Sequence, residues 1–236
     1  MTIRSLRKPV LALLLAIAAY LGVAMAWAAA AFDPLTAGLP AGTRAPLSLA
    51  QLHILLSVED PGFFEHHGLS LADGQGAATI TSALARDVYL SGRSLDGIAG
   101  LFQRVYRGVF ACCKRIDLGR DAMALVLDAK LSKERQLALY VERVYMGTDR
   151  GEQVHGLARA AEHYAGKPLA QLTDDEFTSL VAMIKAPNQF HPVRYPQAHA
   201  QRVARIRALL AGTCKPDGWF DTSFDACDPS SLAQPH

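Results

Sequence analysis

The chain has 236 residues, a formal net charge of +2 and a hydrophobic fraction of 50%. That length accommodates one membrane segment and one domain with its own core, and the near-balanced charge, without a run of like sign, argues against nucleic acid as a partner. No repeat at solenoid periods is present, which excludes a stacked-repeat architecture.

Pro9 to Phe32 carries no charge. A helix over such a stretch, about 24 residues, spans roughly 30 Å of hydrocarbon. Arg4, Arg7 and Lys8 precede it, and few positive charges follow closely. The positive-inside rule therefore puts the N-terminus in the cytoplasm and the rest of the chain outside. The competing reading is a cleaved signal peptide, because Ala26 to Ala31 offers small residues at cleavage spacing. Both readings export the remainder. Residues 1–32 are thus a cytoplasmic tip and anchor, and 33–46, rich in Pro, Gly and Thr, read as a linker.

Residues 47–212 read as one domain. Ser48 caps a helix with apolar Leu49, Leu52, Leu55, Leu56 and Val58, ending near Pro61-Gly62. Thr79 to Leu90 is helical by spacing. Leu95 to Arg115 mixes Leu101, Phe102, Val105, Tyr106, Val109 and Phe110 with Arg104, Arg107, Lys114 and Arg115. This basic, amphipathic pattern suits a lipid headgroup surface, and equally a core-facing helix with a solvated basic face. Ala122 to Lys130, Lys133 to Tyr145 after a Ser132 cap, and Gly151 to Tyr164 read as helices. Thr173 with Glu176 forms a capping box for a helix through Ile184, and Ala198 to Leu210 is the last helix. No stretch alternates over strand length, so the expected fold class is all-α.

Four cysteines fit an exported chain. Cys214 and Cys227 lie in the polar tail, residues 213–236, where oxidising conditions would close a small loop; the alternative is two free thiols. Cys112 and Cys113 are adjacent and sit in an apolar stretch, where they pack as small hydrophobes.

The chemistry concentrates in Glu59-Asp60-Pro61-Gly62-Phe63-Phe64-Glu65-His66-His67-Gly68. A carboxylate among apolar side chains has its charged form disfavoured, which moves it toward the range of a general base. A helix end with solvated charges is the plain alternative. The spacing of Glu59, Asp60, Phe63, His66 and Gly68 resembles the Glu-Asp-x-x-Phe-x-x-His-x-Gly motif of the peptidoglycan glycosyltransferases. Six further segments resemble that family in the same order: Gly76 to Ile80; Lys133 with Leu137 and Tyr140; Val144 to Gly147; Gly156 through Tyr164 with Gly166-Lys167; Leu172-Thr173 with Glu176 and Ala186-Pro187; and Arg205 with Leu209-Leu210. The likeness covers roughly Leu47 to Leu210.

The resemblance implies a lysozyme-like helical domain on one transmembrane helix, in the bacterial inner membrane with the domain in the periplasm. It implies polymerisation of lipid II onto a nascent glycan strand, with inversion and release of undecaprenyl pyrophosphate. Glu59 would then be the base, with Asp60 and His66 supporting the catalytic loop; Phe63 and Thr79 would fall in the substrate region. The anionic leaving group calls for cations of the chain or for magnesium or manganese. Lys133 is the cation carried over by motif, and Lys114, Arg115 and Arg120 are candidates from charge. No residues are assigned as ligands of a resident metal.

Two motifs are eroded relative to the family, and a third carries one change. Ala78 and Ser82-Ala83 stand where it has Ser and Gln-Gln, and Arg120, with Asp121 beside it, stands at the ungapped position of its third-motif Glu. Glu142 replaces an Asn. An ungapped helix points Arg120 toward the pyrophosphate and Asp121 away. These losses support a second reading, a catalytically impaired relative that binds lipid II or cell-wall synthesis proteins as a scaffold. A glycan hydrolase using one Glu as an acid is a third. No Ser-x-x-Lys with Lys-Thr-Gly follows, so an active chain would be monofunctional.

Overall fold

The computed structural model describes residues 3–40, 42, 44–75, 78–110 and 117–229. In chain order the main elements are α1 (Ile3–Thr36), α2 (Leu49–Glu59), α3 (Ile80–Ala85), α4 (Gly97–Phe110), α5 (Leu118–Lys130), α6 (Lys133–Arg143), β1 (Tyr145–Asp149), β2 (Glu152–His155), α7 (Leu157–Ala165), α8 (Asp174–Ile184) and α9 (Pro196–Leu210). The all-α expectation holds apart from the β1–β2 hairpin. Contacts divide the chain into Met1–Leu39, His67–Leu69 and Thr81–Leu131 as one compact unit, and Pro40–His66, Ser70–Ile80 and Ser132–His236 as another.

In the first unit, Lys8–Thr36 is long and apolar enough to cross a membrane. The helix runs through Thr36, so the expected linker from residue 33 begins later. Val10, Leu11, Leu13, Leu14 and Leu15 are exposed, whereas Ala24, Trp27, Ala28, Ala31 and Phe32 are buried. The small residues let α1 lie close on α5, and the Trp27 indole donates to the Ala99 carbonyl at 3.0 Å and stacks on Phe102 at 4.9 Å. Gly119 permits the crossing, since a Cβ there would meet the hydroxyls of Tyr20 and Tyr106 at 2.3 and 2.5 Å.

α4 is amphipathic as expected, and of the expected apolar residues Leu101, Val105 and Val109 are exposed while Tyr106 is buried. Ile98, Leu101, Val105 and Val109 form an exposed stripe at helical spacing. Phe102 turns inward onto Trp27 and Tyr106, because the opposite face is the one that packs. The expectation for Cys112 and Cys113 lies outside the described residues. The helix expected over Thr79 to Leu90 is α3 followed by a π-helical turn, Arg86–Ser91.

In the second unit α8 is the core helix. The Thr173–Glu176 capping box starts it, and Phe177, Leu180, Val181 and Met183 are buried among α2, α7 and α9. Each such side chain contributes about 1.5–3 kcal/mol by leaving water. The helix expected from Gly151 begins only at Leu157, because the preceding residues form the hairpin. Arg150 and Gly151 both have positive φ, as the two-residue type I′ turn requires. Gly156 (φ +80°) then admits no side chain, since a Cβ would lie 2.3 Å from the Glu142 carbonyl oxygen. The tail is joined through Cys214–Cys227, with Cα atoms 5.3 Å apart.

Candidate active site

The second unit builds its polar centre at the end of α2. Ser48 and Gln51 close a capping box that starts this helix, and Ile54, Leu55 and Val58 seat it on the core. Pro61 disfavours further helix, so the chain leaves at Asp60 (φ −161°) with Glu59 as the last helical residue. Asp60 is fully buried. Its carboxylate accepts from His66 Nε2 at 2.9 Å, Gln75 Nε2 at 2.7 Å and the Ile80 backbone N–H at 2.9 Å. Those donors offset the cost of burying a carboxylate. Asp60, with His66, thus ties the turn after α2 to Gln75 and Ile80 and leaves Glu59 as the other carboxyl at this helix end.

Glu59 retains some exposed surface but sits deep among protein atoms. Burial pushes its carboxyl up to about 7, against the opposing pull of Arg202 and Lys185; Asp60 adds a rise, and a hydrogen bond from Tyr140 lowers it. Burial and the neighbouring Arg202 bring the Lys185 ammonium down to about 8. Arg202 is 3% exposed, donates from Nε to the Ala182 carbonyl at 3.0 Å, and stands over the rings of Phe190 and Phe224. A carboxyl near neutrality, kept from higher values by two cations and a hydroxyl, is suited to taking a proton at physiological pH.

The other expected site residues are distributed unevenly. The Lys133 ammonium lies 4.7 Å from the centroid of the Phe63 ring, and Phe63 has no exposed surface. Phe63 thus packs beneath Lys133. Thr79 is also buried, next to the first residue of α3. Gly68 belongs to the first unit, where φ +94° and the Ala124 carbonyl oxygen 3.0 Å from a would-be Cβ call for glycine.

Arg120 and Asp121 also belong to the first unit. The expectation that they point apart is corrected: Arg120 is buried, and its Nε and Nη2 donate to Asp121 Oδ1 at 2.9 and 2.6 Å. Rotation of the two side chains overrides the 100° step between their Cα positions. Asp117 caps α5 by accepting from the Arg120 N–H at 3.0 Å and also accepts from the Tyr106 hydroxyl. Lys114 and Arg115 lie outside the described residues. The acids around the third-motif position are committed to these partners, and among the described residues no cluster of three His, Cys, Asp or Glu is placed to hold a metal. With Asp117 and Asp121 engaged by Tyr106 and Arg120, these two carboxylates as placed do not fit a divalent cation.

Gln75, Tyr140 as a partner of Glu59, Lys185 and Arg202 escaped the sequence reading. Arg205, matched there to a family arginine, instead binds Asp225 and Asp228. Arg202 lies one turn before Ile206 and between buried His199 and Val203, so its place on the core face of α9 was the available signal.

The family described as Transglycosylase matches residues 44–211. Penicillin-binding protein 1B of Vibrio cholerae is 33% identical over 160 residues, covering 66% of this chain and 20% of that protein. Penicillin-binding protein 1B of Escherichia coli K12 is likewise 33% identical over 160 residues, 66% of this chain and 18% of its own length. Penicillin-binding protein 1F of Bacillus subtilis is 27% identical over 182 residues, 74% of this chain and 24% of its own. The chain spans about a fifth of the length of the relatives it matches.

Proposed function

The chain belongs to the transglycosylase family, and on that premise we propose that it is a membrane-anchored peptidoglycan glycosyltransferase that polymerises lipid II. The observation that carries this reading is Glu59: a carboxyl raised to about 7, held by Tyr140 and faced by Lys185 and Arg202, beside an Asp60 whose oxygens are already satisfied.

In this reading Glu59 takes the proton from the 4-hydroxyl of the acceptor sugar. The freed oxygen attacks the anomeric carbon of the donor from the face opposite the lipid pyrophosphate. The new C–O bond forms with inversion, and the bond to the pyrophosphate breaks with its electron pair going to the leaving oxygen. In this reading Lys133, seated on Phe63, and Lys185 meet that charge.

The second half of α1 contributes Trp27 and Phe32 to the packing of the first unit, which supports a retained anchor over a cleaved leader. The exposed stripe Ile98–Leu101–Val105–Val109 supports a lipid-facing α4. With Arg4, Arg7 and Lys8 before the span, the proposed topology is a cytoplasmic N-terminus and a periplasmic domain in the inner membrane.

One observation favours a second reading. The third-motif position holds Arg120, neutralised by Asp121. A chain with that segment spent could bind lipid II, or other cell-wall synthesis proteins, without turning substrate over. Incubating the full-length protein with labelled lipid II and separating the products decides between them. The enzymatic reading expects polymer, reduced at least about a hundredfold in Glu59→Gln, the scale of a lost general base. Bound lipid II without polymer in the wild type would establish the second reading.

A further inference from the structure

Residues 213–229 lie beyond the segment that matches the family, which ends at residue 211. The disulfide closes most of them into a loop, and Asp221 organises its interior by accepting from the N–H groups of Asp217 at 3.0 Å and Asp225 at 2.7 Å. Arg205 of α9 clamps the far side of the loop through Asp228 at 2.9 Å, and Gln201 adds a bond to the same carboxylate at 2.7 Å.

Three contacts run from this loop to groups around Glu59. First, the Gly74 N–H donates to the Gly218 carbonyl at 3.0 Å. Gly74 is a left-handed glycine (φ +75°) packed so tightly that a Cβ would lie 2.5 Å from Pro216 and 3.0 Å from the Phe224 ring. Its neighbour Gln75 is the residue that donates to Asp60. Second, Lys185 Nζ donates to the Thr222 hydroxyl and to Ser223 Oγ at 3.2 Å. Third, Arg202 lies over Phe224, and its Nη1 reaches the Thr222 carbonyl at 3.4 Å. Both cations that act on Glu59 are therefore held by the loop, and so is the turn that orients its neighbouring acid.

We propose that the Cys214–Cys227 loop is a positioning element of the Glu59 site, with Thr222, Ser223 and Phe224 setting where Lys185 and Arg202 face the base and Pro216 and Phe224 setting the Gly74–Gln75 turn. This rests on Glu59 being the base. A loop that only stabilised the domain would change the melting temperature and leave the site's titration alone; a positioning loop changes the titration. The groups facing Glu59 are Arg202 from α9, Lys185 after α8, Asp60 at the end of α2 and Tyr140 from α6. Of these the loop holds only the two cations, both of which favour the ionised carboxyl. Releasing them moves the ionisation of Glu59 to higher pH.

The test uses full-length protein carrying Cys214→Ser with Cys227→Ser, and separately Thr222→Val with Ser223→Ala, which keeps the disulfide. Amide hydrogen exchange across residues 72–75 is read with the pH profile of lipid II polymerisation. Opening the loop is expected to speed exchange over 72–75 about tenfold or more. It is also expected to lower kcat roughly tenfold with little change in KM, and to move the acidic limb of the profile upward. The hydroxyl variant, still folded, frees only Lys185 and is expected to show a smaller displacement of the limb in the same direction, without the change in exchange. Unchanged exchange in the serine pair, or an unmoved limb in both folded variants, would overturn the proposal. A wild type that makes no polymer while exchange responds to loop opening would overturn the enzymatic reading and support the loop's hold on Gly74. An active wild type with unresponsive exchange would do the reverse.

Discussion

Replacing Glu59 by Gln is expected to raise stability while abolishing turnover. The folded carboxyl holds its proton up to about 7, whereas its ordinary value is 4.5. For an acid whose folded value is raised, the unfolded chain releases the proton first as pH rises. Stability therefore falls across the window from about 4.5 to about 7 and is flat above it. A displacement of this size amounts to roughly 3 kcal/mol at most, and residual water contact at Glu59 reduces that to about 1–3 kcal/mol. Gln carries no charge to desolvate and still accepts the Tyr140 hydroxyl. At pH 4, below the window, the variant and the wild type are expected to melt together. At pH 8 the variant is expected to melt about 2–12 °C higher, for a chain of this size. Calorimetry of the full-length protein in detergent at both pH values reads the difference. A variant less stable than the wild type at pH 8, or a difference that does not change with pH, would refute the argument that burial strains this carboxylate.

Other perturbations have equally definite outcomes. Asp121→Ala takes from buried Arg120 the carboxylate that its Nε and Nη2 reach and is expected to cost about 1.5–3 kcal/mol, while Arg120→Met with Asp121→Leu recovers most of that in urea titrations; polymerisation is expected to survive a chelator, and strict metal dependence would contradict the committed acids of α5. A photoactivatable phospholipid in proteoliposomes is expected to label the Ile98–Val109 stripe, and Ser at Ile98, Leu101, Val105 and Val109 to remove that labelling; labelling confined to α1 would return α4 to a solvated helix. Gly156→Ala is expected to cost about 2–4 kcal/mol, through positive φ and the clash with the Glu142 carbonyl; a thermal midpoint within a degree of the wild type would show that the turn can relax.

The helices were legible because their signals are local. Ser48, Ser132 and the Thr173–Glu176 pair sit where the caps of α2, α6 and α8 are found, and apolar spacing marks the buried faces. The hairpin was not legible, because Tyr145 to His155 does not alternate and its geometry is imposed by positive φ at Arg150, Gly151 and Gly156. The site divides the same way. Glu59, Asp60 and His66 fall within eight consecutive residues, and their spacing alone marks them. Gln75, Tyr140, Lys185 and Arg202 meet Asp60 or Glu59 only through tertiary packing, and no spacing rule links positions so far apart in sequence. Rotamer choice is a further limit: helix geometry separates Arg120 from Asp121, and only the packed structure joins them.

The pH dependence of lipid II polymerisation by the full-length protein tests the central claim most directly. Glu59 as the base predicts a rate that rises tenfold per pH unit at low pH and levels off near 7, the value to which burial brings its carboxyl. It also predicts that the limb moves upward in Lys185→Met, where a cation favouring the ionised form is removed. A rate already level at pH 5, or a limb that stays in place in Lys185→Met, would contradict the account.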